Sequence, residues 1–318
     1  MSERLKNDVS FDVLGDVLET LRFRGSIFFR SELAAPWGLK LVPMGVPRFH
    51  VALSGNCFVG SEGHETVEVE EMSIVMLPTG DSHWIADQPG RNLVSSARAG
   101  EACDLGDPFF QQGEITNRLM CGIVQYDQES PHPLLNSLPD ILHIPRLETG
   151  QPIWSTVTLI DAEMNRTEGR GGTIVDRLTE VLFLQLLNYY AEQSDEAGGF
   201  LVALRDRRLQ QALTLIHSEP AFSWSLLSLG ERVGMSPATL VRHFKNAVGV
   251  APMTYILNWR IMKAYNLIKY TSTPLEQIAE SVGFGSARTL SKSFQRHYHY
   301  TPKELRQSLQ SDATGASC

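Results

Sequence analysis

The chain has 318 residues, of which 42% are hydrophobic and 20% are charged. This composition is typical of a globular protein and excludes a collagen-like or largely disordered chain. The length predicts two or three domains. No run of about 18 apolar residues predicts a transmembrane helix, and the N-terminus has no apolar signal core. We therefore expect a cytoplasmic location and no membrane partner.

The charge is unevenly distributed. The net charge of the whole chain is -8, but residues 201–318 contain 14 Lys and Arg against 7 Asp and Glu. A basic segment joined to an acidic remainder indicates a charged partner, and the usual partner of a compact basic domain is nucleic acid.

The first two thirds of the chain change character near residue 130. Residues 1–20 are predicted to include an amphipathic helix, and short apolar runs between turns over 22–125 predict an antiparallel barrel or sandwich. PLLNSLPDILHI and WSTVTLIDAEMN are helix candidates. Residues 173–192 form the clearest predicted helix of this part, and EQSDEAGGF is predicted to be a linker.

An internal repeat follows residue 205. LLSLGERVGMSPATLVRHFKNAVGVAP resembles LEQIAESVGFGSARTLSKSFQRHYHYTP, and most matching positions are 49 or 50 residues apart. Each copy contains an apolar-faced helix, a Gly (Gly234, Gly283), a Ser at an N-cap position and a second helix. That second helix has one apolar and one basic face, which is typical of a helix-turn-helix reader.

A long helix is predicted between the two copies, over PMTYILNWRIMKAYNLIKYT. A rigid helix at this position would hold two reader helices at a fixed separation. Readers about 34 Å apart could enter successive major grooves on one face of DNA.

On these motifs, residues 205–309 resemble the DNA-binding domain of AraC/XylS-type transcriptional regulators. His299 stands where the family usually has Gly, although His adopts positive φ only with some strain. Gly230 stands where a small Ala is usual; it costs about 1 kcal/mol of helix propensity. Residues 12–192, with RFHVALSGNCFVG and IVMLPTGDSHWIAD, resemble the cupin-like sensor domains that precede this DNA-binding domain in one AraC subgroup.

The resemblance implies an α+β multidomain fold. We expect a cupin-like antiparallel β-barrel as sensor domain over 1–130 and a helical dimerisation segment with linker over 131–197. An all-α double helix-turn-helix domain should occupy 198–310, and 311–318 should be a disordered tail.

The resemblance also assigns the DNA contacts. Arg can bond guanine bidentately, Ala, Val and Thr can touch thymine methyl groups, and cations near the helix ends suit phosphates. The expected DNA-binding residues are Ser236, Ala238, Thr239, Val241, Arg242 and Lys245 in the first unit, and Ser286, Ala287, Arg288, Thr289, Ser291, Lys292 and Arg296 in the second. Ser236 and Ser286 are expected mainly as helix caps.

The N-terminal half offers candidates for sensing. Cations and aromatic residues around the predicted barrel could bind an anionic or aromatic effector, while surface charge is the alternative interpretation. The candidates are Arg24, Arg30, Trp37, Arg48, His50 and His83. Cys57 and Cys121 are candidate redox sensors, although buried inert thiols are the default interpretation of cysteines in apolar strands.

A metal site is not expected. PTGDSH matches the second cupin motif and supplies His83, but RFHVALSG supplies only His50 where the first motif should supply two His and a Glu. We therefore expect no metal, no cofactor and no catalytic residue.

The expected function is sequence-specific transcription regulation on double-stranded promoter DNA, modulated by a signal in the N-terminal domain. RNA polymerase, a second copy of the chain and a small-molecule effector are the other expected partners. One alternative is a cupin-like metal-dependent enzyme fused to a DNA-binding domain. Another is a DNA-binding regulator whose first half only dimerises.

Overall fold

The structure is a computed structural model. It describes residues 11–104, 110–129, 132–167, 171–193 and 199–315. The start of the predicted N-terminal helix, the centre of the predicted linker and the last three residues of the predicted tail lie outside the described residues.

The described chain contains ten strands. They are β1 (Arg24–Leu33), β2 (Gly38–Leu41), β3 (Arg48–Ser54), β4 (Cys57–Ser61), β5 (Val67–Val69), β6 (Ile74–Leu77), β7 (His83–Ala86), β8 (Val94–Ser95), β9 (Asn117–Gln125) and β10 (Leu142–Ile144).

Thirteen helices are present in the same part of the chain. They are α1 (Val13–Thr20), α2 (Ser96–Asp104), α3 (Pro133–Asn136), α4 (Pro152–Arg166), α5 (Thr173–Gln193), α6 (Phe200–Ala203), α7 (Arg207–Ser218), α8 (Leu226–Val233), α9 (Pro237–Val248), α10 (Pro252–Tyr270), α11 (Leu275–Ser281), α12 (Ala287–Tyr298) and α13 (Pro302–Gly315). None of the described helices is long and apolar enough to cross a membrane.

The chain divides into two compact units. The sheet unit comprises residues 23–126 and 135–195. The helical unit comprises residues 196–318 together with 1–22 and 127–134. The helical unit therefore includes two segments that lie far from it in sequence. The domain boundaries expected from the sequence concern the separate functions of the chain, and they remain a prediction.

The sheet unit contains two five-stranded sheets. Their strand orders are β1-β9-β3-β6-β10 and β5-β4-β7-β2-β8, and every pair is antiparallel except β2 with β8. The cupin-like antiparallel class is confirmed. The prediction of a closed barrel is wrong, because no ladder among the described strands joins the two sheets.

One apolar core serves both sheets. Leu119 of β9 and Val59 of β4 belong to the same buried cluster, which also contains Trp37. Helix α5 packs along β1, where Gly25 leaves room for it. A Cβ at Gly25 would lie 2.7 Å from the Thr179 side chain, so only glycine permits this approach.

The segment after residue 132 corrects one prediction. PLLNSLPDILHI was expected to be helical, but the structure has the four-residue helix α3 followed by strand β10. β10 pairs with β6, with His143 opposite Val75. Pairing with the distant strand β6 outweighs the local helix propensity of this segment, because isolated short helices are marginal in water. The predicted helix over 173–192 is present as α5.

Candidate nucleic-acid interface

The first helix-turn-helix unit consists of α8 and α9. Gly234 ends α8 in the left-handed conformation with φ 67°. The Ser236 hydroxyl then accepts a hydrogen bond from the Thr239 backbone N–H, and Pro237 occupies the first turn of α9. Proline fits this position because the first helical N–H has no intrahelical partner. Gly230 has a packing reason, since a Cβ there would lie 2.5 Å from the Met235 carbonyl oxygen.

The second unit repeats this arrangement with α11 and α12. Gly283 has φ 85°, and the Ser286 hydroxyl accepts from the Thr289 N–H at 3.2 Å. His299 ends α12 at φ 67°. The residue that replaces the usual glycine therefore adopts the left-handed conformation that the helix end requires.

Both reader helices turn one face to the core and another to solvent. Leu240 and Phe244 of α9 are buried, as are Leu290 and Phe294 of α12. The predicted contact residues are exposed or half-buried; the exposed ones are Ser236, Ala238, Arg242, Lys245, Arg288, Thr289, Lys292 and Arg296, and the half-buried ones are Thr239, Val241, Ser286, Ala287 and Ser291.

The cations on the exposed faces of α9 and α12 have no ion-pair partner among the described residues. Arg242, Lys245, Arg288, Lys292 and Arg296 form no ion pair with any residue that the structure describes. Unpaired cations on a helix that can enter the major groove suit phosphate and guanine contacts.

One arginine, Arg260, connects the two helix-turn-helix units. On α10, Arg260 Nε donates to the Pro220 carbonyl at 2.8 Å and Nη2 donates to the Phe222 carbonyl at 2.6 Å. Its Nη1 donates at 3.2 Å to the carbonyl of Gly283, the turn glycine of the second unit. Burial lowers the pKa of Arg260. The planar guanidinium thus binds the loop before α8 and the turn after α11 together. Sequence analysis missed this residue.

A buried polar relay also lies in the helical unit. The Leu134 N–H donates to His132 Nδ1 at 3.1 Å, so His132 Nε2 carries the proton and donates to Tyr255 Oη at 3.1 Å. The Tyr255 hydroxyl then donates to His217 Nε2 at 2.7 Å. His217 Nδ1 donates at 2.8 Å to Asp16 of α1.

The charges along this relay follow from burial. Burial lowers the pKa of His132 and of His217, and it raises the pKa of Tyr255, so all three are neutral at neutral pH. Burial also pushes up the pKa of Asp16, but hydrogen bonds from His217 and Lys263 outweigh this and lower it. Asp16 is therefore the one anion of the relay, and Lys263 is its cation at 2.8 Å.

The effector candidates of the sheet unit do not form one site. Arg24 is exposed and lies 3.9 Å from Glu180. Arg30 Nε contacts Asp161 Oδ1 at 2.6 Å. Trp37 is buried in the core, where its Nε1 donates to Asn117 at 3.0 Å.

The remaining candidates meet inside the sheet unit. Arg48 is 3% exposed and donates to the Val42 carbonyl, while His50 and His83 are buried. His83 Nδ1 donates to the Asp81 carbonyl at 2.8 Å, so its Nε2 accepts from His50 Nε2 at 2.8 Å. His50 Nδ1 then accepts from the Cys121 thiol at 2.9 Å.

Both imidazoles of this pair are neutral. Burial lowers the pKa of His50 well below its usual range, helped by His83 and Arg48. Burial lowers the pKa of His83 to about 4.

These residues do not fit a cupin metal. Two nitrogen ligands of a tetrahedral zinc lie roughly 3.3 Å apart, farther than the 2.8 Å between the two Nε2 atoms. Cys121 bonds the opposite nitrogen of His50 and cannot share an ion with that pair. No group of three or more His, Cys, Asp or Glu side chains in the described ranges could hold a metal ion.

The two cysteine candidates are free, buried thiols. Burial raises the pKa of Cys57 to about 12 and also raises that of Cys121. Thiolate is the form that reacts with oxidants, so this environment disfavours direct reaction of either residue. Their role in redox sensing remains a prediction.

A surface cleft of about 320 Å³ reaches His83, the one effector candidate among its lining residues. Lys40 and Trp84 lie opposite each other on neighbouring strands in this cleft. Sequence analysis missed Lys40 because strand register, not spacing, brings it beside Trp84. The remaining lining residues are Gly60, Ser61, Glu62, Ser82 and Leu93.

Two capped reader helices with exposed cationic faces, joined by the long helix α10, define a double helix-turn-helix DNA-binding protein. Comparison with known proteins agrees. Residues 229–308 match a family described as a helix-turn-helix domain, and residues 12–192 match a family described as Cupin.

Known transcriptional regulators are similar to this chain in sequence. The transcriptional regulator AlkR of Acinetobacter baylyi is 25% identical over 307 residues, which cover 93% of this chain and 99% of AlkR. A Streptomyces lividans protein described as an AraC-like transcription regulator is 28% identical, over 93% of this chain and 98% of that protein. The transcriptional activator RhaS of Citrobacter koseri is 30% identical over 40% of this chain and 45% of RhaS.

The cupin match covers more than half of the chain, so the chain belongs to that family. With the helix-turn-helix domain that follows, it is an AraC-type DNA-binding transcriptional regulator.

Proposed function

We propose that this regulator reads promoter DNA with the exposed faces of α9 and α12. The observation that carries the proposal is that both helices present unpaired cations opposite a buried apolar face. Arg242 and Arg288 are the base readers, while Lys245 and Arg296 hold phosphates. No catalytic step is part of this function. Because its target is genomic DNA, the regulator acts in the cytoplasm.

The test begins with the target sites. Genomic fragments bound by the purified protein are recovered at two salt concentrations and sequenced. Recurrent short sites retained at higher salt are expected, since nonspecific binding weakens steeply with salt. Binding that is uniform along the genome would contradict sequence-specific reading.

Single substitutions then locate the readers. Arg242→Ala and Arg288→Ala should each cost about 1–3 kcal/mol on a recovered site and relax preference at one base position. Lys245→Ala, the matched control, should weaken binding to all sequences alike. Normal target binding by Arg242→Ala would place the reader elsewhere.

We further propose that α5 pairs with its copy in a homodimer. Ile174, Leu178 and Val181 follow the spacing of a helix-pairing seam. Ile174 is 55% exposed and Val181 is 43% exposed, as is expected of an apolar stripe that another chain covers. Val181→Glu should convert dimers to monomers in sedimentation equilibrium, whereas Met44→Glu, at an exposed loop residue, should not. Unchanged dimers would contradict pairing through α5.

We propose that the sheet unit senses a small molecule and that the bound regulator activates transcription with RNA polymerase. The cleft at His83 supports binding of a small molecule, and the RhaS relative supports activation. A ligand acts only if it binds two conformers unequally. Transcription with purified polymerase should therefore respond to the effector, and a ligand that stabilises the protein without changing transcription would contradict sensing.

The enzyme alternative has no support from the described side chains. His50 and His83 lack a third ligand, so the metal on which cupin catalysis depends has no site there. Stoichiometric metal in the purified protein that is lost in the His50→Ala variant would support the enzyme alternative.

A further inference from the structure

A second cleft lies beside the first reader helix. Its volume is about 390 Å³, and its lining residues are Asp206, Arg207, Arg208, Met235, Thr239 and His243. All of them belong to the helical unit. The start of α7 supplies the arginines, and α9 supplies Thr239 and His243.

The two arginines have no structural role that explains them. Arg207 and Arg208 occupy the first turn of α7, are exposed, and form no ion pair within the described chain. A cation at a helix N-terminus opposes the helix dipole, whose positive end lies there. Two successive arginines at this position therefore disfavour the isolated fold, and an external anion would remove the penalty.

The acidic residue in the cleft is already occupied. Asp206 Oδ1 accepts from the backbone N–H groups of Arg208 and Leu209, both at 2.9 Å. Its Oδ2 contacts His243 Nε2 at 3.0 Å. These contacts hold α9 against the start of α7, and both guanidinium groups are left without a carboxylate partner among the residues that the structure describes.

The cleft adjoins the reading face of α9. At 100° per residue, Thr239 lies roughly 60° around the helix from Arg242, and His243 lies roughly 100° away on the same side. From Leu240 of the buried stripe, Thr239 lies roughly 100° and His243 roughly 60° around the helix, so the cleft occupies the flank of α9 between the core and the reading face. A DNA strand that borders the groove read by Arg242 would therefore run past the opening of the cleft.

We propose that this cleft binds a backbone phosphate of the target DNA, held by Arg207 and Arg208 and by the Thr239 hydroxyl. The proposal rests on DNA reading by α9 and adds a contact that carries no base preference. This phosphate contact would fix the register of α9 on the duplex.

The test measures affinity of the full-length protein for a target duplex and a scrambled duplex across a salt series. The variants are Arg207→Ala, Arg208→Ala and the double variant. Arg118→Ala is the control, since it removes an exposed cation of the sheet unit.

The double variant should weaken both duplexes by the same factor, about five- to tenfold. The slope of log affinity against log salt should become shallower by about 0.9 in the double variant and stay unchanged in Arg118→Ala. A duplex in which one flanking phosphate is replaced by a neutral methylphosphonate should bind the wild type and the double variant equally well.

Three results would overturn the proposal for the cleft alone. An unchanged salt slope would mean that the arginines are only solvated, and a loss confined to the target duplex would make them base readers. If no methylphosphonate position abolishes the difference between the two proteins, the cleft holds no single phosphate. Wild-type protein that does not prefer its target would overturn the reading function and the cleft together, whereas the first three results leave the reading function intact.

Discussion

At the scale of the single residue, one carboxylate distinguishes the two reader helices. Glu276 Oε2 accepts from the Ala287 N–H, the first of α12, at 3.1 Å. The first unit has Leu227 at the repeat position of Glu276, and Pro237 at the helix start has no N–H to offer. Because a helix N-terminus favours anions, Glu276 occupies a place that a DNA phosphate could take.

Glu276→Gln should therefore strengthen binding to every duplex. The amide keeps an acceptor oxygen for the helix end and removes the charge that repels phosphate, a gain of about 1 kcal/mol, or roughly fivefold. Gel-shift titration measures it, with Glu280→Gln on the same helix as control. Weaker binding only to sites with a particular cytosine would instead make Glu276 a base reader.

At the scale of elements, α10 connects the two helix-turn-helix units. Its Arg260 holds the loop before α8 to the turn after α11. The arginine binds carbonyls that precede and follow α10 in sequence, and a Cβ at Gly283 would lie 2.9 Å from its guanidinium carbon. The turn glycine is thus required both for its positive φ and for this close approach.

Arg260→Met should remove one donor from each of three carbonyls, of which that of Phe222 keeps the Trp224 N–H, and should lower the free energy of unfolding by about 1–3 kcal/mol. It should also reduce the preference for DNA with two correctly spaced half-sites over DNA with one. Competition between the two duplexes measures that preference. Arg306→Met is the control, since the Arg306 side chain donates to the carbonyl of Thr273, which is not one of the three carbonyls that Arg260 binds. If the variant prefers two half-sites over one as strongly as the wild type does, the spacing of the two helix-turn-helix units does not depend on Arg260.

The sequence predicted what depends on neighbours along the chain. Gly234, Ser236 and the buried Phe244 were found because turns, caps and helix faces are local and occur twice. The partners of Arg260 lie 23 to 40 residues away, and β10 exists only because β6 pairs with it. Barrel closure and the meeting of His50 with Cys121 were likewise beyond the sequence, because strand order decides them.

At the scale of the whole molecule, the helical unit includes two segments, 1–22 and 127–134, that lie far in sequence from its main part. Asp16 of α1 pairs with His217 and Lys263, and Asp127 pairs with Lys269 at 2.7 Å. The Glu129 carboxylate accepts from the Tyr265 hydroxyl. These contacts all reach α7 or α10, the helices that support the readers.

Asp16→Ala should consequently destabilise α10. The substitution leaves His217 and Lys263 without their acceptor, which costs about 1–3 kcal/mol for the buried donor. Hydrogen–deuterium exchange of α10 amides should accelerate, while β3 and β9 exchange as before. Glu19→Ala, an exposed position on α1, is the control. Unchanged exchange in α10 would show that α1 does not support it.

The contact-defined units also change how this regulator can be divided. Its sheet unit is inserted in sequence into the helical unit, so the chain passes between the units four times. A fragment cut at the linker before Gly199 would separate α7 and α10 from the carboxylate of Asp16. A chimera joined at that linker would likewise give the donor's DNA-reading helices a foreign N-terminal helix. Exchange of specificity between relatives therefore requires transplanting three pieces of sequence, of which the two short ones contain no residue that faces DNA in our proposal.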